Sequence, residues 1–347
     1  MKGRDSQDVA TYRNGARGGP KAINWRNGAS GVRRLGIQLL GVGTFYVIVV
    51  AVFSSQTSDF LQFNNLRTIL DAAVILGIVS LGQTLAIISG GFDLSVGGVV
   101  PLGAVTFAMI SNDGNPTVAL IVAIAVGVFA GLVNGFVVAR FKINPLIGTL
   151  AMLSISGGTA YIVTDGQVVL LDPESSATFW GESGPLALTN GTWAFLILAV
   201  VVALILRYTV FGRALYTVGG NAEAAELAGM RVQTVSVSVY VLSGAFAAFA
   251  GVVAASQLLA AGPDIGTTTT LNSVAAVILG GAALTGGIGG MGGTVLGVLL
   301  LGTISNGLGL MQVASFYQTV ITGVVLLLAV AFGRLRDILN ASSFGTK

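Results

Sequence analysis

The chain has 347 residues, 54% of them hydrophobic and only 9% charged, with 17 basic and 14 acidic side chains. A soluble domain would carry roughly a quarter charged residues, so this composition belongs to a protein that crosses a membrane many times. The absence of cysteine excludes disulfides and thiolate metal sites, and the absence of histidine removes the usual proton shuttle and the commonest metal ligand.

The first 34 residues are basic (Lys2, Arg4, Arg13, Arg17, Lys21, Arg26, Arg33, Arg34) and rich in Gly and Asn. They read as a disordered cytoplasmic tail, too long and irregular for a signal-peptide n-region. Their charge is that of a cytoplasmic flank and no sign of nucleic-acid binding. Apolar segments follow at about 35–53, 67–89, 94–110, 117–139, 146–164, 192–210, 233–256, 271–285, 290–310 and 316–333. Most reach the roughly 20 residues that cross a hydrocarbon layer. The segment 271–285 is short and reads as re-entrant or tilted. Counting it gives an all-α polytopic domain over 35–336 with about ten crossings, and a cytoplasmic tail over 337–347.

The charges agree with that count. On the inner side fall Arg140, Lys142, Arg207, Arg213, Arg231, Arg334 and Arg336. On the outer side fall Asp59, Asp113, Asp165, Asp172, Glu174, Glu182 and Asp264, with Arg67 as the only base. This is the bias expected of a chain with both termini inside, and it needs 271–285 as a crossing.

Between the second and third segments the chain reads Ile88-Ser89-Gly90-Gly91-Phe92-Asp93-Leu94-Ser95-Val96. The glycine pair weakens a helix and permits backbone angles that other residues avoid. Asp93 then stands where a new helix begins, able to accept from the N–H of Ser95 or Val96. Irregular backbone at membrane depth is tolerated only inside protein or along a polar path, so this is a break packed within the bundle. Asp93 and Asp71 are the two carboxylates in or beside apolar segments; Asp71 lies one turn after Arg67, which predicts an i,i+4 pair near the outer surface. For Asp93 three roles stand open: cap, contact with a passing substrate, and interhelix hydrogen bonding.

Two connections are long. The outer one, 165–191, carries four acids, Pro173, Pro185 and Trp180, and reads either as a solvated connector or as a docking loop. The inner one, 211–232, contains Asn221-Ala-Glu-Ala-Ala-Glu-Leu-Ala228 before Gly229, an N-cap residue followed by strong helix formers. It predicts a short amphipathic helix outside the membrane, suited to a partner protein or to lipid headgroups. A third run, Leu279–Thr294, has glycine at 280, 281, 286, 287, 289, 290, 292 and 293, which allows close helix packing or an unwound hairpin over about 280–293. Its place echoes the break near 90–94, the pattern of two related halves around a translocation path.

No phosphate-binding loop is present: Lys2, Lys21, Lys142 and Lys347 are the only lysines and none follows one. The chain has no nucleotide motif of its own, and a proton-coupled carrier would carry more buried ionisable groups.

Gly90-Gly-Phe-Asp-Leu-Ser-Val-Gly97, Leu215-Tyr-Thr-Val-Gly-Gly-Asn-Ala-Glu-Ala-Ala-Glu-Leu-Ala-Gly229, Ala275–Gly287 and Asn306-Gly-Leu-Gly-Leu310, with Asn64–Leu70, resemble in order the permeases of ribose-type ABC sugar importers, in the branched-chain amino acid/ribose permease superfamily. The resemblance covers about 60–335. It implies the pseudo-symmetric ten-helix fold of vitamin B12-type importers in a bacterial cytoplasmic membrane. It also implies a second permease copy or similar paralogue, ATPase subunits that bind ATP and Mg below, and an extracytoplasmic sugar-binding protein above. Carried over, Gly90, Gly91, Asp93 and Ser95 form the broken segment near the path. Gly219, Gly220, Asn221, Glu223, Ala224, Ala225 and Gly229 form the ATPase-docking element. Ribose permeases often carry acids where this chain has Thr270 and Asn272 and bases around Ile288 and Gly290, which implies that either the cargo or the charge pairing across that turn differs; they commonly have a base where it has Glu226, which implies a matching change in its ATPase. A monosaccharide is the expected cargo. A nucleoside, a furanosyl signal molecule or a branched-chain amino acid is the alternative within the same machinery, and an ion-coupled carrier is the alternative outside it.

Overall fold

The computed structural model describes residues 27–324, apart from 267 and 315, together with residue 327; side chains are described from residue 41. Of the predicted 1–34 tail, residues 1–26 lie outside the described residues and 27–34 belong to a helix; the predicted tail at 337–347, with Arg334 and Arg336, also lies outside. Residues 1–37 and 38–347 form separate units, and the architecture below is that of the second.

The helices are α1 (Asn27–Gln56), α2 (Phe63–Ile88), α3 (Val96–Asp113), α4 (Pro116–Arg140), α5 (Pro145–Thr164), α6 (Asn190–Tyr208), α7 (Val210–Gly220), α8 (Ala222–Leu227), α9 (Val232–Leu258), α10 (Thr269–Leu279) and α11 (Met291–Leu310). A further helical stretch covers 316–324. Helix α1 starts earlier than the apolar run predicts, because Val32, Leu35 and Leu39 already recur at helical spacing. Capping is local: Asn115, Asn144 and Thr189 each accept from a backbone N–H two or three residues on, and Pro116 and Pro145 occupy first-turn positions.

Among the described residues seven helices are long and apolar enough to cross a membrane: α2, α3, α4, α5, α6, α9 and α11. Helix α2, with 26 residues, is about 39 Å long at 1.5 Å per residue, enough to cross alone. The two ends of the bundle can be told apart by connection. Arg67 at the start of α2 donates to Ser183 Oγ (2.8 Å), and Asn112 at the end of α3 donates to the Leu170 carbonyl (2.7 Å). Both partners lie in the 165–191 connection, so α2 and α3 are antiparallel and the chain reverses between them. The break near 90–94 is therefore a reversal between two helices rather than a kink in one.

Segment 271–285 differs from a simple short crossing. Val169–Leu170 (β1) pairs antiparallel with Ala260–Ala261 (β2), which anchors the start of this stretch at the 165–191 end. Helix α10 begins only at Thr269, after Pro263, Gly266 and a run of threonines that delay the helix. Its start lies beside the start of α3, where Thr270 Oγ1 donates to the Leu94 carbonyl (3.4 Å). The described residues of this stretch thus pass through turns at 263–266 into a half-length helix.

Helix α9 is the centre of the bundle and packs against α2, α3 and α4. Small residues make these contacts: Gly127, Gly131 and Gly135 of α4 lie against Gly244, Tyr240 and Val237 of α9, close enough that a Cβ on any of the three would meet α9 backbone. Large apolar side chains such as Ile121, Phe129, Phe136, Ile147, Ile162 and Val200 are exposed on α4, α5 and α6, as befits surfaces that face lipid.

Candidate functional site

The reversal at 89–95 is built from its residues upward. Gly90 takes a φ of +83°, in the left-handed region that other residues rarely enter, and this turns the chain after α2. Residues 92–95 then run back into the bundle, where Asp93 is fully buried. Its Oδ1 accepts from the Ser95 N–H (3.0 Å) and from the Ser95 hydroxyl. Ser95 Oγ in turn accepts from Asn134 Nδ2 of α4 (2.8 Å), and Asn134 is buried as well. Of the two predicted donors, Ser95 is the one used. The N-cap position itself is Ser95, two residues after the carboxylate. From α9, the Tyr240 hydroxyl donates to the Phe92 carbonyl (3.4 Å), and Ser243 lies beside the carboxylate. Asp93 Oδ2 and Ser243 Oγ make no hydrogen bond of ordinary geometry among the described residues. No cation faces Asp93 there; the N-termini of α3 and α10, which converge on Leu94–Ser95, supply the favourable dipoles.

Sequence reasoning missed the buried polar residues of α2 and α4. Ser80, Gln83 and Thr84 of α2 are all buried, and Thr84 Oγ1 and Thr294 Oγ1 of α11 share a hydrogen bond of 2.7 Å. Neither amide atom of Gln83 has a hydrogen-bond partner among the described residues. The signal was their recurrence at i, i+3 and i+4 within an otherwise apolar helix, which marks a single polar face. Asn134 had no such signal, since it stands alone in α4.

The glycine-rich run forms an unwound link over 280–290 between α10 and α11, so it is at once a hairpin and a close-packed surface. Gly286 and Gly287 have φ of +83° and +71°. The Gly287 N–H donates to the Ile88 carbonyl (2.9 Å), which ties the second break to the first.

The 211–232 connection holds two helices where the sequence predicted one. Residues 210–220 form α7, capped by Thr209 Oγ1, which accepts from Gly212 N–H (3.1 Å). Asn221 Oδ1 then accepts from Ala224 N–H (2.9 Å) and starts α8 over Ala222–Leu227. The first helix was hidden because Gly212, Gly219 and Gly220 punctuate it. The residues expected at an ATPase surface separate in space. Gly220, Asn221, Glu223, Ala224 and Gly229 are exposed, Ala225 is buried as the anchor of α8, and Gly219 packs against Ile88 and Gly287. Leu227, beside them, is 86% exposed. The Tyr216 hydroxyl donates to the Gly289 carbonyl (2.9 Å); burial pushes this phenol above its ordinary pKa, which keeps it a donor.

At the other end, Arg67 and Asp71 form the predicted i,i+4 pair (3.5 Å). Asp71 does more than that: its Oδ1 also accepts from Thr189 N–H (3.1 Å), Thr189 Oγ1 (3.0 Å) and Thr192 Oγ1, clasping the 181–189 stretch onto α2. Asp71→Ala removes the acceptor shared by the Thr189 N–H and the Thr189 and Thr192 hydroxyls, and the two hydroxyls keep their bond to each other. Limited chymotrypsin digestion at the exposed Leu186 is expected to run about tenfold faster, and an unchanged rate would show that the clasp does not hold the loop.

No three metal-ligating side chains gather among the described residues, and the site offers hydrogen bonds and shape. The family described as "Branched-chain amino acid transport system / permease component" matches residues 65–330. The chain is 36% identical to the ribose import permease protein RbsC of Escherichia coli K12 over 288 residues, 82% of this chain and 90% of that protein. It is 36% identical over 303 residues to RbsC of Bacillus subtilis 168, covering 87% and 94%. With the L-arabinose ABC transporter permease protein AraH of Azospirillum brasilense it shares 35% over 297 residues, covering 85% and 87%. No solved structure matches the chain.

Proposed function

The chain belongs to the branched-chain amino acid transport system / permease component family, and from that premise we propose that it is the membrane-spanning subunit of an ATP-driven importer for a monosaccharide. The observation that carries this reading is the 36% identity to a ribose import permease over 82% of the chain. Two such chains, or this chain and a similar paralogue, flank the path. ATPase subunits that hold ATP and Mg dock on α7–α8, and an extracytoplasmic binding protein delivers sugar at the 165–191 end. Arg140, Lys142, Arg207, Arg213 and Arg231 cluster at the α7–α8 end, while Asp59, Asp113, Asp165, Asp172, Glu174, Glu182 and Asp264 belong to the other end. That bias supports a cytoplasmic α7–α8 in a bacterial inner membrane, with both termini inside. Gly90, Gly91, Asp93 and Ser95 border the path in this reading, and Glu223, Ala224 and Asn221 meet the ATPase.

The test is uptake into proteoliposomes by the complex of this chain with its ATPase and binding protein, using labelled D-ribose, L-arabinose, a nucleoside and leucine. ATP-dependent uptake of a pentose is expected. Uptake of the nucleoside or leucine alone would change the cargo class, and uptake driven by a proton or sodium gradient without ATP would overturn the reading. Glu223→Ala is expected to lower ATP-driven uptake about tenfold with the complex still assembled, the size of one hydrogen bond to a charged group.

A further inference from the structure

Three segments far apart in the chain meet through their backbones at one point. Gly287 N–H donates to the Ile88 carbonyl at 2.9 Å, joining the two breaks. The end of α7 is wedged against that bond: a Cβ on Gly219 would run into Ile88 O and stand 2.7 Å from Gly287 N. A Cβ on Gly286 would stand 2.6 Å from Gly219 O and 2.8 Å from Gly90 Cα. On the same side the Tyr216 hydroxyl holds the Gly289 carbonyl at 2.9 Å. One residue beyond this wedge, Asn221 caps α8, so α8 has no flexible linker to the junction. Sequence reading had assigned Gly219 to the surface of a partner and Gly90 to the path. In space they are neighbours.

We propose that the end of α7, with Gly219 and Tyr216 as positioning residues, is the element through which displacement of α8 reaches both helix breaks together. The idea rests on the reading of α8 as an ATPase-docking helix. The reason is mechanical. Backbone packed on backbone without intervening side chains leaves no rotamer to absorb a shift, and close-packed interiors transmit strain rather than deform. A rotation of α7–α8 must therefore move 88–91 and 286–289 as one body. The Asp93 segment, five residues beyond Ile88 and two beyond Gly91 in the same reversal, is carried with them.

The experiment measures sugar transported per ATP hydrolysed in proteoliposomes, with the full complex and labelled D-ribose and L-arabinose as probes. Three variants are compared with wild type: Gly219→Ala, which wedges the junction apart; Tyr216→Phe, which removes one hydrogen bond without adding volume; and Gly292→Ala, in the first turn of α11, where a Cβ meets nothing within 4 Å. The expected result is that Gly219→Ala keeps its ATPase bound and hydrolysing while sugar per ATP falls at least about tenfold. Tyr216→Phe is expected to lower the ratio about fivefold, the equivalent of one ordinary hydrogen bond, and Gly292→Ala to match wild type. Should Gly219→Ala fail to assemble, Tyr216→Phe decides alone. An unchanged ratio in Tyr216→Phe, or uptake and hydrolysis falling in parallel in both variants, would overturn the proposal. Absence of ATP-driven uptake in wild type would instead sink the importer reading on which it rests.

Discussion

Asp93→Ala is expected to abolish sugar uptake and lower the thermal stability of the purified protein, whereas Asp93→Asn keeps at least about half of both. The alanine removes the one acceptor for the Ser95 N–H and the Ser95 hydroxyl, and through Ser95 it loosens Asn134. All three residues are buried, so the stranded donors have no water to turn to. Each unsatisfied buried group costs about 1–3 kcal/mol, and two of them lie at the start of α3. Asparagine keeps Oδ1 in place. Its amide nitrogen would occupy the position of Oδ2, next to Ser243 Oγ, which has no partner of its own among the described residues. The measurement is a thermal melt in detergent beside proteoliposome uptake. An asparagine variant that melts like wild type but transports nothing would assign the charge of Asp93 to the cargo path rather than to holding the reversal.

The second large effect is expected at Gly244. It is the point where α9 meets α4, and a Cβ there would run into the Gly127 carbonyl, while a Cβ on Gly127 would run into the Gly244 carbonyl. The two backbones touch, so Gly244→Val has no rotamer that fits. Overpacking a well-filled core costs typically about 1–3 kcal/mol through side-chain displacement, and more where backbone must give way. Because α9 also packs on α2 and α3, separation from α4 would spread through the bundle. The expected outcome is loss of the monodisperse peak in size-exclusion chromatography. Gly158→Ala on α5, with nothing within 4 Å of its Cβ, is the matched control and is expected to elute as wild type. A monodisperse Gly244→Val protein with wild-type melting would show that the helices can part at little cost.

The contrast between these sites explains how much of the protein was legible in advance. The positions of the crossings followed from runs of apolar residues, while the caps Asn115 and Asn144 were read only from the structure. The Asp93–Ser95 bond and the Arg67–Asp71 pair are contacts within two and four residues, and local spacing predicted both. Helix α7 was missed because its three glycines read as punctuation, while in the fold Gly219 is needed for close approach and Gly212 lies against the α6 end, where a side chain would meet the Leu206 carbonyl. Asn134 and Ser243, the distant polar neighbours of Asp93, could not be foreseen, since nothing in α4 or α9 sets their positions apart.

By itself the sequence determined the class of protein, the segments that cross, the two interrupted stretches and the basic and acidic ends. These rest on hydropathy, backbone propensity and charge, which act residue by residue or over one turn. Only the tertiary structure decided that α10 supplies half a crossing, and that Ile88, Gly219 and Gly287 meet. In helices that are apolar on every side, hydropathy cannot tell the face that meets protein from the face that meets lipid. That choice is made by the fit of small residues between distant helices, and such fit leaves no periodic mark along the chain.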